Sequence, residues 1–249
     1  MEWAVLSHKG LARAKNEDNL LVCADIGLFA VADGMGGHQA GEVASRLALE
    51  SLERAVRQND ESDLLAVLTN AFEQANQNVY MAAQSNPECE KMGTTLTACI
   101  IRAGNLFWLH VGDSRGYLVR NNEIKQFTED HSYVSDFVRK GELTPEEAEV
   151  HPYRHVLTRA LGTEPLIQVD KGIVKLEPND VVLLCTDGLT LHLNDHEILE
   201  IARNGRPTEQ VRKLVKTALE RGGLDNVTLI LIKFWGFNYP VTPAQPQEC

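Results

Sequence analysis

Leu28-Phe29-Ala30-Val31-Ala32-Asp33-Gly34, residues 28–34, is a short apolar run that stops on an acid and a glycine. A run this short, bounded by a turn pair, is predicted to be a buried strand ending at Asp33. Trp3–Ser7 and Asn19–Ala24 upstream are predicted strands as well. Downstream the period changes. Val43, Leu47, Ala48, Leu52, Ala55 and Val56 recur at helical spacing, as do Leu64, Leu65, Leu68, Phe72, Ala75 and Val79, with Ser62 expected to cap the second helix. A strand group is thus followed by a helix pair.

The pattern then repeats. Thr94–Ile101, Asn105–Val111, Gly116–Arg120 and Glu123–Phe127 are predicted strands, with Asn121-Asn122 where a tight hairpin tolerates positive φ. Residues 131–162 are charged and weakly periodic around Leu143-Thr144-Pro145-Glu146-Glu147, which predicts a short helical insertion packed over something. Strands return at Ile167–Lys175 and Val181–Thr186. Two helices follow, Asp195–Arg203 behind the cap Asn194 with Glu197 in the capping-box position, and Thr208–Arg221 stopped by Gly222-Gly223. Val227–Phe234 is a last strand. Strand groups alternating with helix pairs lack the one-strand, one-helix rhythm of a parallel sheet, so the fold class is α+β in layers. One domain is expected over residues 1–235, followed by a flexible tail over 236–249 that carries Pro240, Pro243 and Pro246.

Composition removes several classes of function. The 249 residues are 43% hydrophobic and 24% charged, as in ordinary globular proteins, and 24 Lys and Arg against 35 Asp and Glu leave a net charge of −11. Such a surface repels phosphate backbones and anionic lipid, so neither nucleic acid nor membrane is an expected partner. The five cysteines have no CxxC pair, which argues against a disulfide framework or a structural zinc site. Cys23, Cys99 and Cys185 fall in predicted strands as small core residues. Without a basic, apolar leader or a spanning run, the chain is expected to be cytoplasmic.

The acids at strand ends carry the chemistry. Asp33 closes the run 28–32, Asp113 follows Leu109-His110-Val111-Gly112, Asp187 follows Val181–Thr186, and Asp225 opens the last strand. An Asp beside Gly is common turn chemistry. Strands of a packed sheet nonetheless end along shared rims, where several carboxylates repel unless they share protons or hard cations. Oxygen donors without Cys or paired His suit Mg²⁺ or Mn²⁺ rather than Zn²⁺, and Gly34 would let its carbonyl approach an ion. In the loop 10–18, Arg13 offers a planar fork of donors to a phosphate, while Glu17 and Asp18 could hold metal-bound waters. A solvated charged loop is the other reading of that segment.

Six stretches, in order, resemble the metal-dependent protein phosphatases of type 2C and look like their bacterial branch. They are Gly10-x-x-Arg13-x-x-Asn16-Glu17-Asp18, Ala32-Asp33-Gly34-Met35-Gly36-Gly37-His38, Met92-Gly93-Thr94-Thr95, Val111-Gly112-Asp113-Ser114-Arg115, Thr186-Asp187-Gly188-Leu189 and Asp225-Asn226-Val227-Thr228. The resemblance spans roughly residues 3–234. It implies a four-layer α-β-β-α sandwich, two antiparallel sheets flanked by helix pairs, with two Mn²⁺ or Mg²⁺ ions at one end, and hydrolysis of phosphoserine and phosphothreonine in proteins. By motif position Asp33 would bridge both ions, the Gly34 carbonyl would bind the first, and Asp187 with Asp225 the second. Asp113 would support a third, weaker ion, Arg13 would bind phosphate, and Glu17 and Asp18 would be outer acids. Residues 131–162 would form the variable flap.

The chain departs from the wider pattern in two places. Met35 stands where eukaryotic relatives carry a histidine used as general acid, which leaves that role unassigned. His38 is nearby, and its alternative reading is a structural hydrogen bond at a helix start. Thr186 replaces a commoner Ser, a change expected to matter little. His151 and His155 are read as packing or hydrogen-bonding residues. The resemblance further implies a monomeric phosphatase opposing a bacterial Ser/Thr kinase, with phosphorylated proteins and a forkhead-associated scaffold among its partners. A catalytically silent phosphoprotein-binding regulator and a metal-dependent nuclease or small-molecule phosphatase are the competing readings. The first is opposed by the Asp at every ligand position, the second by the −11 charge.

Overall fold

The computed structural model describes residues 1–36, 40–59, 63–236 and 242–243. The chain opens with β1 (Glu2–His8), β2 (Asp18–Cys23) and β3 (Leu28–Met35), then the helices α1 (Ala40–Arg57) and α2 (Leu64–Ser85). There follow β4 (Gly93–Thr94), β5 (Leu96–Arg102), β6 (Asn105–Val111), β7 (Arg115–Arg120) and β8 (Glu123–Gln126), and the flap helices α3 (Tyr133–Arg139) and α4 (Pro145–Glu149). The remainder is β9 (Asp170–Lys175), β10 (Val181–Cys185), α5 (Asp187–Thr190), α6 (Asp195–Ala202), α7 (Pro207–Glu220), β11 (Val227–Lys233) and β12 (Thr242–Pro243).

One sheet runs β12-β1-β11-β10-β7-β8 and the other β2-β3-β5-β6-β9, with β4 beside β3. Every pairing is antiparallel except the two-residue parallel contact of β12 with β1. The uninterrupted apolar runs have a simple cause. In β3, Leu28, Ala30 and Ala32 pack under α1 and α2, while Phe29 and Val31 point between the sheets. In β10, Val181, Leu183 and Cys185 meet α6 and α7, while Val182 and Leu184 enter the same inter-sheet layer. Both faces of these strands are covered, so the period of two is present but hidden. Three apolar layers therefore separate four layers of secondary structure, as expected.

Several local expectations hold. Asn121 and Asn122 adopt φ of 51° and 63°, the double positive φ of a tight hairpin. Asn194 and Glu197 form the anticipated capping box. Others shift. Asp63 caps α2 through its side chain, accepting from the N–H groups of Leu65 and Ala66, and Ser62 lies outside the described residues. The expected strand 94–101 is broken at Thr95, whose backbone N–H turns to the Asp33 carbonyl. The strand expected from Ile167 begins at Asp170, because Leu166 is exposed and the chain is still returning from the flap. Within the expected mobile tail, Thr242 and Pro243 lie beside Glu2 and Trp3. Among the described residues no helix is long and apolar enough to cross a membrane.

Leu184 is fully buried in the layer shared by the two sheets. Its replacement by Ala is expected to lower unfolding free energy by about 3 kcal/mol in urea titrations, since the surrounding strands cannot collapse into the gap. A loss below about 1 kcal/mol would contradict this view of the core.

Candidate metal centre

Register brings the first two acids together. Asp18 and Asp33 are direct cross-strand partners in the β2–β3 pair, an arrangement that is repulsive for like charges. Asp33 is also within electrostatic reach of Asp113, Asp187 and Asp225, so the acids at the ends of β3, β6 and β10 and the start of β11 share one rim. Arg13 joins them, with Nη2 2.6 Å from Asp225 Oδ2. The residues singled out from the sequence thus converge: Arg13, Glu17, Asp18, Asp33, Gly34, Asp113, Asp187 and Asp225.

The backbone at this rim is tied by short polar side chains. Thr95 Oγ1 accepts the Asp33 N–H at 2.9 Å, and Thr94 Oγ1 donates to the Asp33 carbonyl at 2.8 Å. Thr95 Oγ1 also meets Ser114 Oγ at 2.7 Å, which fastens the Asp33 turn to the Asp113 turn. Asn226 holds the Arg13 loop onto β11: its Nδ2 donates to the Lys9 and Lys15 carbonyls, and its Oδ1 accepts the Glu17 N–H, each at 2.8 Å. Thr186 Oγ1 donates to Asp18 Oδ2 at 2.9 Å and accepts the Thr228 N–H at 3.0 Å. The hydroxyl does the work here, so Thr serves as Ser would.

The two Asp-Gly pairs are explained by close backbone approach. A Cβ on Gly34 would lie 2.0 Å from the Gly41 carbonyl oxygen and 2.6 Å from that of Glu17. A Cβ on Gly188 would lie 1.9 Å from the Asn226 carbonyl oxygen. Only glycine lets α1 seat against the end of β3 and lets α5 seat against the start of β11, which sets Asp187 beside Asp225.

Electrostatics follow from this crowding. Burial first, then the neighbouring carboxylates, pushes Asp33 and Asp113 well above the usual carboxylate range, and Asp187 upward as well. Asp18, 4% exposed, is pushed up to about 7 by burial against the hydrogen bonds from Thr228 and Thr186 that oppose the rise. Glu17 is raised by burial more weakly. Asp187 Oδ1 and Asp18 Oδ1 are buried with no hydrogen-bond partner, a state that polar atoms in proteins rarely keep. Among the described residues no three His, Cys, Asp or Glu side chains form a closed ligand group. Hard cations that keep several waters need only one or two carboxylates each. Oxygen-only donors, unpartnered buried carboxylate atoms and raised carboxyls therefore fit divalent Mg²⁺ or Mn²⁺.

The flap brings one histidine close to the acids. His155 is exposed and close enough to lower Asp187 through its charge, a proximity that the sequence reading did not assign. His151 accepts the Tyr153 N–H at Nδ1 and packs on Tyr133 and Tyr153, as expected. Met35 turns its tip toward Gly93 and has no proton to give, while His38 lies outside the described residues. Thr95 and Asn226 sit inside stretches that the sequence marked without giving them a role. Gly41 carried no signal.

Raised carboxyls fix how the rim's share of the metal-stripped protein's stability depends on pH. Between about pH 4 and about pH 7 the unfolded chain ionises acids that the folded rim keeps protonated, so the folded state binds more protons and stability falls as pH rises. Buried His110 and His131, whose imidazoles burial holds below the usual histidine range, contribute with the opposite sign over part of this window. Metal is therefore the clean probe of the rim: Mn²⁺ is expected to raise Tm over its EDTA value more at about pH 8 than at about pH 5. A Mn²⁺ shift that is equal at both pH values would contradict this.

Comparison with known proteins gives this site a lineage. The Protein phosphatase 2C family matches residues 5–136, and the Stage II sporulation protein E family matches residues 140–235. The serine/threonine protein phosphatase PstP of Mycobacterium tuberculosis is 40% identical over 97% of this chain, which spans 46% of that relative. The serine/threonine phosphatase stp of Listeria monocytogenes is 37% identical over 90% of this chain and 92% of its own length. The crystal structure of the Mycobacterium tuberculosis phosphatase PstP superimposes with a TM-score of 0.88 at 39% identity, covering 94% of this chain and 98% of that one. The PstP catalytic domain in complex with two manganese ions gives 0.84 at 38%, covering 92% and 96%. The four-layer sandwich thus has solved counterparts, one of them in complex with two manganese ions, and the chain belongs to the protein phosphatase 2C family.

Proposed function

We propose that this chain is a metal-dependent protein serine/threonine phosphatase. The carrying observation is the convergence of Asp33, Asp187 and Asp225 beside Arg13, in a chain similar to named Ser/Thr phosphatases over nearly its whole length. Asp33 would bridge two ions, the Gly34 carbonyl would meet the first, and Asp187 with Asp225 would hold the second. Asp113, set apart on the β6–β7 turn, would support a third and weaker ion. Divalent cations bound there lower the pKa of a coordinated water and screen the phosphate dianion from its attacker.

The chain's own residues do the rest by placement. Arg13 touches Asp225 through Nη2 and is half exposed, so the remaining face of its guanidinium is open to a phosphoryl group. Asp18 and Glu17 hold or accept protons behind the rim. The Thr95, Thr186 and Asn226 ties keep the acids in register, so direct in-line displacement needs positioning and charge stabilisation and no phosphoenzyme. Met35 cannot protonate the leaving alkoxide, and the general acid stays unassigned; a water held at the centre would fill that role.

Phosphorylated proteins are the substrate class, and a Ser/Thr kinase would be the opposing enzyme. The net charge of −11 opposes action on nucleic acid, and the proposal is of a monomer acting on proteins in the cytoplasm. The test is hydrolysis of a phosphothreonine peptide and of p-nitrophenyl phosphate with Mn²⁺, Mg²⁺ or EDTA. Turnover should require metal and vanish in Asp187→Asn or Asp225→Asn, both folded; near-normal rates in either would refute the site. Rapid cleavage of nucleotides without activity on the phosphopeptide would instead favour a small-molecule enzyme. Arg13→Ala should act mainly by raising KM for the phosphopeptide, and an unchanged KM would remove its assigned role.

A further inference from the structure

His131 stands where the chain leaves β8 for the flap, and it is 1% exposed. Its backbone N–H donates to the Gly112 carbonyl at 2.7 Å, and its Nδ1 accepts the Gly112 N–H at 3.1 Å. Both backbone polar groups of the residue before Asp113 are therefore held by one histidine. Its own carbonyl accepts the N–H of Thr158, on the returning arm of the flap, at 2.9 Å. On the other side of the ring, Nε2 lies 3.1 Å from Asp170 Oδ2, and Asp170 Oδ1 accepts from Arg159 Nη1 at 2.8 Å. The ring packs on His110 with centroids 4.7 Å apart, and His110 is itself fixed by Thr97 and the Glu129 carbonyl.

An imidazole nitrogen that accepts from a backbone N–H carries no hydrogen, so in the neutral ring the proton is on Nε2, which lies within ion-pair distance of Asp170 without an aligned hydrogen bond. The two ring nitrogens thus serve two segments: Nδ1 the Gly112–Asp113 turn, Nε2 the flap's return through Asp170 and Arg159. We propose that His131 is a positioning residue for Asp113, its Nδ1 setting the turn that presents this carboxylate and its Nε2 joining that turn to the root of the flap. This rests on the reading of Asp113 as the ligand of the weakest ion.

The two nitrogens can be separated by substitution. Asn places an amide oxygen near the position of Nδ1, and Gln places an amide NH₂ near that of Nε2. Binding of Mn²⁺ to the metal-stripped full chain, followed by electron paramagnetic resonance, is compared in wild type, His131→Asn, His131→Gln, Asp170→Asn and Asp113→Asn, with kcat and KM on a phosphothreonine peptide alongside. His131→Gln should weaken the weakest Mn²⁺ site by about tenfold or more, the usual effect of removing a group that orients a ligand. His131→Asn and Asp170→Asn, which spare the bond to Gly112, should stay within about threefold of wild type. The proposal is overturned by His131→Gln binding as wild type, or by Asn and Gln failing alike. Should both His131 variants fail to fold, a tenfold loss in Asp170→Asn overturns it and near-wild-type binding there supports it. Asp113→Asn separates the layers of the argument. If it removes the weakest ion while His131→Gln keeps it, only the role of His131 falls; if it leaves Mn²⁺ binding intact, the ligand reading of Asp113 falls and takes the proposal with it.

Discussion

Mutual repulsion among Asp18, Asp33, Asp113, Asp187 and Asp225 is the constraint around which this molecule is built. Two unit charges about 4 Å apart interact by about 4 kcal/mol at an effective dielectric near 20, so five ionised carboxylates at one rim would strain the fold severely. The structure offers three kinds of relief. Asp18, Asp33, Asp113 and Asp187 retain protons more tightly than ordinary acids, Arg13 lies against Asp225, and the rim presents oxygen atoms suited to hard cations. The same tension that makes the site unfavourable without counter-charge makes it favourable for divalent ions.

Repulsive groups stay together only if the frame is stiffer than the force between them. Three apolar layers fix the strands, and the strand ends are then locked by hydroxyls and one amide: Thr95 with Ser114, Thr186 with Asp18 and Thr228, Asn226 with the Arg13 loop. Gly34 and Gly188 permit backbone approaches that any side chain would block. The site is thus carried by regular elements and their ends, while segment 131–162 leaves and rejoins that frame through hydrogen bonds at His131, Thr158 and Asn76, whose Oδ1 accepts the Gly162 N–H.

Much of this was legible beforehand, and the reasons are specific. The strand 28–32 and the helix pair after it announce themselves by period, and the acids at 33, 113, 187 and 225 by their position at strand ends. The break at Thr95 was invisible because a polar residue among apolar neighbours looks like ordinary alternation; its tie to Asp33 exists only once β3 and β5 pair. The late start of β9 escaped because Ile167 and Val169 carry strand propensity that the flap's return overrides. The capping of α2 by Asp63 rather than Ser62 is a one-residue ambiguity between two good caps. Gly41 left no trace in the sequence because its role is a backbone contact with Gly34.

The central claim is that these carboxylates form a divalent-cation centre. Anomalous diffraction from crystals soaked in Mn²⁺ tests it most directly. The account requires manganese peaks at Asp33 and the Gly34 carbonyl and between Asp187 and Asp225, displacing the Arg13 contact or sharing it. Manganese found elsewhere, or an unchanged Arg13–Asp225 pair with no peak at the rim, would contradict it.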